Sequence, residues 1–310
     1  MKKIFFVLLG SMYVNLFFGQ CACCGSSSNL SAGEITPTAY SLNKKQWLAE
    51  LYSDFRSFNG PSSIVLSDHT VSSALSVKNM VITGLGLRYG INSRTSLVLQ
   101  QPYIFINATS ARSEAFGDLL SLINYRAFSR SNFIIGLQAG MEWPTGQYIV
   151  SGSGNSISTG SGSYDPVAGF NIIKAFKRSN IRANAFFKYT TQGFNQTNYG
   201  DFFGHQLGYS YFVLNPLMTC TPDSISKTNN RASLSVNVQL SGEWSQAQTK
   251  DHGMVPNTGS YVGLLGFGAS LGFKGFSIPI MVSVPVYQQF YGQQNMNVFR
   301  IRIGLTKTFN

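Results

Sequence analysis

The feature that most limits what this chain can fold into is a period-two alternation of apolar and polar residues, held over long segments. In the run from Phe133 to Trp143, Phe133, Ile135, Leu137, Ala139, Met141 and Trp143 are apolar. Gly136, Gln138, Gly140 and Glu142 stand between them, with Ile134 the one exception. Successive strand residues point to opposite faces, so such a segment is greasy on one side and small or polar on the other. From Ala232 to Trp244, Leu234, Val236, Val238, Leu240 and Trp244 oppose Ser233, Ser235, Asn237, Gln239, Ser241 and Glu243. The same phase marks Trp47–Arg56, Ile181–Tyr189 and Phe299–Phe309, and more weakly Met80–Tyr89, Thr95–Phe105, Asp118–Phe128, Tyr164–Phe176, Phe202–Leu214, Tyr261–Phe273 and Phe276–Tyr287. Composition closes off the rivals. Charged residues make up only 11% and aromatics 14%, the opposite of a disordered chain. After the N-terminal segment there is no apolar run of about 18 residues to make a membrane helix.

The connections between these segments alternate in length. Ile91-Asn92-Ser93, Ser129–Asn132, Arg178-Ser179-Asn180 and Lys274-Gly275 are tight turns of turn-favouring residues. Asn59–Ser76, Asn107–Gly117, Gln147–Ser163, Gly193–Gly200, Ser245–Ser260 and Gln288–Asn295 are long, and Asn215–Asn230 replaces one short turn. Short turns at one end and long loops at the other are the pattern of outer-membrane barrels. The expectation is therefore an all-β chain: a closed antiparallel transmembrane β-barrel of about 12 strands, with both termini periplasmic, in the outer membrane of a Gram-negative bacterium. A soluble sandwich has strands of about 5–6 residues, shorter than these segments.

Residues 1–20 read as a signal peptide whose end falls between positions 19 and 25. Lys2 and Lys3 precede an apolar stretch from Ile4 to Phe18. Residues 21–45 form a Cys-containing periplasmic segment, a place for a periplasmic partner, and residues 46–310 form the barrel. Gln20 before Cys21 departs from the small residue that lipidation favours. Cys21, Cys23 and Cys24 have the spacing of a thiophilic metal site. Cys220 paired with one of them as a disulfide suits an envelope compartment better, and the strongest reading is that the cluster is partly removed with the signal and has no defined role.

The phase assigns lumen-facing side chains. Gln138, Glu142, Gln239 and Glu243 turn inward, as do Arg56, Arg88, Arg126, Arg182, Lys188, Arg300 and Arg302, with Glu50, Asp54, Asp118 and Asp165. Of these, Arg88, Gln138, Glu142, Arg182, Lys188, Gln239, Glu243, Arg300 and Arg302 are the pore-lining candidates. Mixed charges can stiffen a wall with ion pairs or select solutes in a wet channel. On closure Arg300 and Arg302 fall near Asp54 and Arg56. The net charge is +11. Much of the excess collects at the tight turns and their edges, on Arg94, Arg130, Lys177, Arg178, Lys227, Arg231 and Lys274 against Asp223. The long loops carry Arg112 and Lys250 against Asp68, Glu114 and Asp251. Basic residues on that rim suit anionic headgroups. No basic cluster with interleaved aromatics points to nucleic acid.

Several short motifs occur in a fixed order. They are Gly84-Leu85-Gly86-Leu87-Arg88-Tyr89-Gly90-Ile91, Gln101-Pro102-Tyr103, Gly117-Asp118-Leu119-Leu120, Trp143-Pro144-Thr145-Gly146, and Thr159-Gly160-Ser161-Gly162-Ser163-Tyr164-Asp165. Together, across residues 80–310, they resemble the "MetA-pathway of phenol degradation" family of outer-membrane proteins. That resemblance implies a barrel transporter for small solutes, aromatic or apolar compounds among them, working passively, without a cofactor and in contact with outer-membrane lipid. The Cys-rich start departs from the family.

Two alternatives stand beside a channel. One is a structural or surface-interaction barrel with a closed lumen. The other is a lipid-hydrolysing enzyme, since outer-membrane phospholipase is also a twelve-strand barrel with an Asn/His/Ser site on its outer wall. Of the three histidines, His69 and His252 fall in long loops and His205 on an apolar-facing strand position. Gln206 and Leu207 follow His205, and no serine sits two residues on. The spacing supplies no activated nucleophile, and the reading is of a non-enzyme. The Gly-rich stretch Ser151–Gly162 lacks the Gly-Lys-Ser/Thr ending of a phosphate loop and reads as an outer loop that folds over or into the pore.

Overall fold

A computed structural model describes residues 42–60, 64–65, 71–72, 77–108, 112–130, 132–150, 156–214, 232–251, 253–273 and 275–309. Twelve long strands dominate: β1 (Trp47–Asn59), β2 (Val77–Gly90), β3 (Thr95–Ala108), β4 (Leu119–Arg130), β5 (Phe133–Trp143) and β6 (Asp165–Ala175). They continue as β7 (Ser179–Lys188), β8 (Phe202–Leu214), β9 (Ser233–Ser245), β10 (Ser260–Phe273), β11 (Phe276–Phe290) and β12 (Met296–Phe309). Each is antiparallel to its sequence neighbours, and β12 returns to pair with β1 from Trp47 opposite Phe309 to Asn59 opposite Met296. The sheet is thus a closed barrel. Closure satisfies the main-chain N–H and C=O groups that hydrocarbon leaves unpaired.

Burial follows the alternation. Leu85, Leu240, Leu207 and Ile123 face outward at 63%, 52%, 54% and 52% exposure. Their strand neighbours Gly86, Gln239, Gln206 and Asn124 face inward and are buried. An apolar surface of this extent around a closed barrel is a lipid-facing surface. Aromatic residues gather towards both ends of the strands: Trp47 packs on Tyr89 at 4.5 Å and Phe128 on Phe133 at 6.1 Å at the tight-turn end. Trp143 meets Tyr164 at 6.0 Å at the long-loop end. These belts mark the two membrane–water interfaces. The chain is an outer-membrane β-barrel.

Four details differ from the sequence expectation. The interior is not uniformly polar: Tyr52, Val77, Met80, Ile82, Ile104, Ile106 and Ala108 form an inward apolar cluster near the long-loop end of β1–β3. β2 and β3 are apolar on both faces, which blurs their alternation. The loop expected at Asn107–Gly117 contains a strand, Arg112–Phe116, that pairs with the upper part of β3, and β11 runs on to Phe290 past the expected loop start. In both cases main-chain pairing outlasts the side-chain pattern. Ser179 opens β7 rather than sitting in a turn, with Phe176 N donating to Ser179 O at 2.7 Å.

Leu240 lies mid-strand on the outer face. Leu240→Arg is expected to destabilise the barrel by about 2–4 kcal/mol in bilayers, the cost of a cation near the midplane. Urea unfolding in phospholipid vesicles measures this. A loss below about 1 kcal/mol would mean that this face does not meet hydrocarbon.

Candidate functional site: the barrel interior

Inward positions of β1, β9 and β12 build the first part of the interior. Register sets Asp54 opposite Arg302 and Arg56 opposite Arg300. Arg56 nevertheless turns along its own strand, its Nε and Nη2 donating to Asp54 Oδ2 at 3.0 and 2.9 Å. Arg300 instead reaches past two strands to Glu243 on β9. Nη1 donates to Oε1 at 2.7 Å and Nη2 to Oε2 at 3.0 Å, a two-pronged charge-assisted pair. Asn297 Oδ1 accepts from Nε and Nη2 of the same guanidinium at 3.0 and 2.9 Å. Arg302 lies 4.9 Å from the Tyr52 ring. Tyr52 can lie flat here because its neighbour across β2 is Gly84, where a Cβ would strike the phenol.

The second part lies on β5–β8. Glu142 and Asp165 face each other across β5 and β6. Lys188 Nζ sits between them, 3.5 Å from Glu142 Oε1 and 3.7 Å from Asp165 Oδ2. Asp165 Oδ1 also accepts from Thr191 N at 2.9 Å. Lower on the wall Arg182 Nη2 donates to Ser210 Oγ at 2.7 Å, and Gln206 Nε2 to Gln239 Oε1 at 2.7 Å.

Asp118, in the bend before β4, ties a long loop down. Its Oδ2 accepts from Ser161 N at 2.6 Å and Ser161 Oγ at 2.7 Å, and its Oδ1 from Gly146 N at 2.8 Å. Burial pushes the Asp118 carboxyl above its ordinary range, and these donors oppose that. Gly146 and Gly160 meet so closely beneath it that a Cβ on either would overlap the other. Ser158, Thr159, Ser161 and Ser163 are buried, so this end of the loop folds in towards the barrel.

The structure places all nine pore-lining candidates on inward positions with buried side chains. It joins Glu142 to Lys188 and Glu243 to Arg300, and brings Gln239 to Gln206. The thirteen inward ionisable residues named from the sequence are 0–8% exposed. Side chains therefore pack closely around these charges and leave little of them open to solvent. Tyr52, Asn297 and Ser161 also hold this arrangement and were not singled out in the sequence. Tyr52 shares the inward phase of Glu50 and Asp54, a usable signal; the roles of Asn297 and Ser161 depend on contacts across the fold. Cys21, Cys23, Cys24, Cys220, His69 and His252 lie outside the described residues. His205 faces outward and half-exposed, its ring centroid 5.5 Å from Phe203 and 6.2 Å from Tyr261, with Tyr261 Oη 3.5 Å from Nε2. No serine hydroxyl is among its contacts in the described residues.

Known structures share this architecture. The COG4313 outer-membrane channel from Pseudomonas putida F1 matches with a TM-score of 0.61 at 16% identity, over 89% of this chain and 100% of that one, which shows a common fold. The CymD monoaromatic hydrocarbon channel matches at 0.45 and 10% identity over 96% and 99% of the two chains. LpxR from Salmonella typhimurium matches at 0.43 and 10% identity over 85% and 100%. These two likenesses are too distant to separate one activity from another. No family model matches, so the phenol-degradation resemblance rests on its short motifs alone. No curated protein sequence matches significantly.

Glu243→Gln removes the counter-charge of buried Arg300 and one of its two acceptor oxygens and is expected to cost about 3–5 kcal/mol. Replacing both partners, Glu243→Leu with Arg300→Met, is expected to restore most of it; denaturant unfolding of the three proteins compares them. Asp118→Ala is expected to cost about 1–3 kcal/mol locally. It should appear as faster amide exchange at Gly146 and Ser161 and new protease cleavage within residues 144–163, with the barrel still folded by gel mobility.

Proposed function

We propose that this barrel is a passive outer-membrane channel for small solutes, aromatic or apolar compounds among them. The observation that carries the reading is how the interior is closed. Arg300 and Glu243 meet from strands that are not neighbours, and they can part without breaking any strand pairing. The apolar cluster around Met80, Ile82, Ile104 and Ile106 near the long-loop end offers an uncharged solute a first foothold. Below it the charged and amide side chains, with Arg88, Gln138, Arg182 and Arg302 among them, form the polar part of the path. The common fold with an outer-membrane channel and the order of the phenol-degradation motifs support the same assignment. In this reading residues 1–20 are an export signal, residues 21–45 a periplasmic segment, and the tight-turn end faces the periplasm.

The complete burial of the interior charges favours a second reading, a structural barrel with a sealed lumen. Permeation through folded protein in liposomes separates the two, using a small phenol, a disaccharide and inorganic ions as probes. A channel should pass the phenol ahead of the disaccharide. Arg300→Ala with Glu243→Ala should raise small-solute flux several-fold while the barrel stays heat-modifiable on gels. Failure of both folded proteins to pass any probe would overturn the channel and establish the sealed barrel.

A further inference from the structure

The exposed charge of the molecule is divided unequally between its two ends. Lys44, Lys45, Arg94, Arg130, Lys177 and Arg178 are exposed at the tight-turn end, and among the described residues no Asp or Glu is exposed there. At the long-loop end exposed Lys78, Arg112 and Lys250 are balanced by Glu114, Asp251 and the half-exposed Asp201. The basic residues do not form a patch. They follow the rim from β12 through β1 to the β6–β7 turn, which is most of the circumference. Two further, half-exposed lysines at this end lie against the aromatic belt: Lys307 Nζ is 3.9 Å from the Phe276 ring centroid and Lys174 Nζ 5.9 Å from that of Phe133. Such a placement keeps the ammonium at headgroup depth while the carbon stem covers apolar surface.

We propose that this rim is a collar for anionic phospholipid headgroups, binding the phosphodiesters of the leaflet that surrounds the tight-turn end. Charge complementarity and shape both argue for lipid. An annulus of lipids touches a cylinder all the way round, whereas a single folded partner covers one sector. The aromatic belt beneath the cations supplies the interfacial depth at which phosphates sit. The collar does not depend on whether the barrel conducts, so its test stands apart from the permeation test.

The chain has three tryptophans, and they report on the two ends separately. Trp47 lies at the collar, 4.5 Å from Tyr89, and Trp143 at the other rim. Full-length protein carrying Trp143→Phe and Trp244→Phe is placed in phosphatidylcholine nanodiscs. Its fluorescence is then quenched by headgroup-spin-labelled phosphatidylglycerol or by equally labelled phosphatidylcholine. Both leaflets have the same lipid, so any difference between the ends comes from the protein. The collar predicts that the anionic label is preferred at Trp47 by about fivefold or more at low salt, and that the preference fades as salt rises. Protein with Trp143 as its sole tryptophan should show none. Lys44→Gln, Lys45→Gln, Arg94→Gln and Lys307→Gln together should bring the Trp47 ratio close to one. Equal quenching at Trp47 by the two labels would overturn the proposal, as would an equal anionic preference at Trp143, or a folded variant that keeps its preference. If that variant does not fold, the salt series on the unsubstituted collar decides: a preference insensitive to salt would overturn it.

Discussion

Everything in this molecule depends on the seam where β12 pairs with β1. A strand edge facing hydrocarbon leaves N–H and C=O groups unpaired at several kcal/mol each. A sheet carrying a continuous apolar outer surface is therefore stable in a bilayer only when the last strand finds the first. The seam runs the length of both strands, from Trp47–Phe309 to Asn59–Met296, with one irregularity at Ser57/Phe58. Charge concentrates along it on the inner side. Asp54, Arg56, Arg300 and Arg302 occupy two consecutive inward pairs, and Arg300 carries the link on to Glu243. The pairing that closes the backbone thus also positions the Arg300–Glu243–Asn297 network in the interior.

Closing the outside creates a problem inside. Twelve strands enclose a space too wide for short apolar side chains to meet across. The chain fills it with long polar ones, Arg, Lys and Gln, which reach inward to polar and charged partners such as Glu243 for Arg300 and Gln239 for Gln206. Taking such charges out of water is costly unless they are paired. Among the described residues the inner face carries seven cations and six anions, in arrangements as different as the two-pronged Arg300–Glu243 pair and Lys188 set between two carboxylates. Apolar clusters occupy what remains, on β1–β3 and again around Leu120, Leu122, Val167, Phe186 and Phe202. Phe186 stacks on Phe202 at 5.8 Å over the space left by Gly204.

The fold was legible because lipid and interior impose opposite chemistry on adjacent residues. All twelve expected segments correspond to strands, β5 and β9 most clearly since their inner faces, Ile134 apart, are small or polar. β2 and β3 were weaker because Met80, Ile82, Ile104 and Ile106 make the inner face apolar as well. The inward direction of a charged residue could be read from its phase, but its partner could not. Arg300 falls beside Arg56 in the register, yet its acceptor is Glu243, three strands round in the other direction. Which side chains meet across a barrel depends on its curvature and stagger, properties of the assembled sheet rather than of any one segment. Asp118 shows the same division: its inward position followed from the pattern, whereas its grip on Gly146 and Ser161 depends on a loop that begins more than a strand away.

A lumen closed by side chains differs physically from one closed by a folded segment. To pass a solute at the Arg300–Glu243 level, the barrel must exchange one set of hydrogen bonds for another while its backbone ladder stays intact. A long-range ion pair backed by Asn297 resists that exchange, since separating it exposes two charges that burial has stripped of water. Entering water lowers that cost by solvating both groups, so wetting and opening are coupled. Wetting also changes what the interior prefers: dry, the paired charges present little net field, while separated they offer donors on one wall and acceptors on another. In the proposed channel the Asp118 latch stands upstream of this step, because the loop it holds borders the Glu142–Asp165–Lys188 end of the interior.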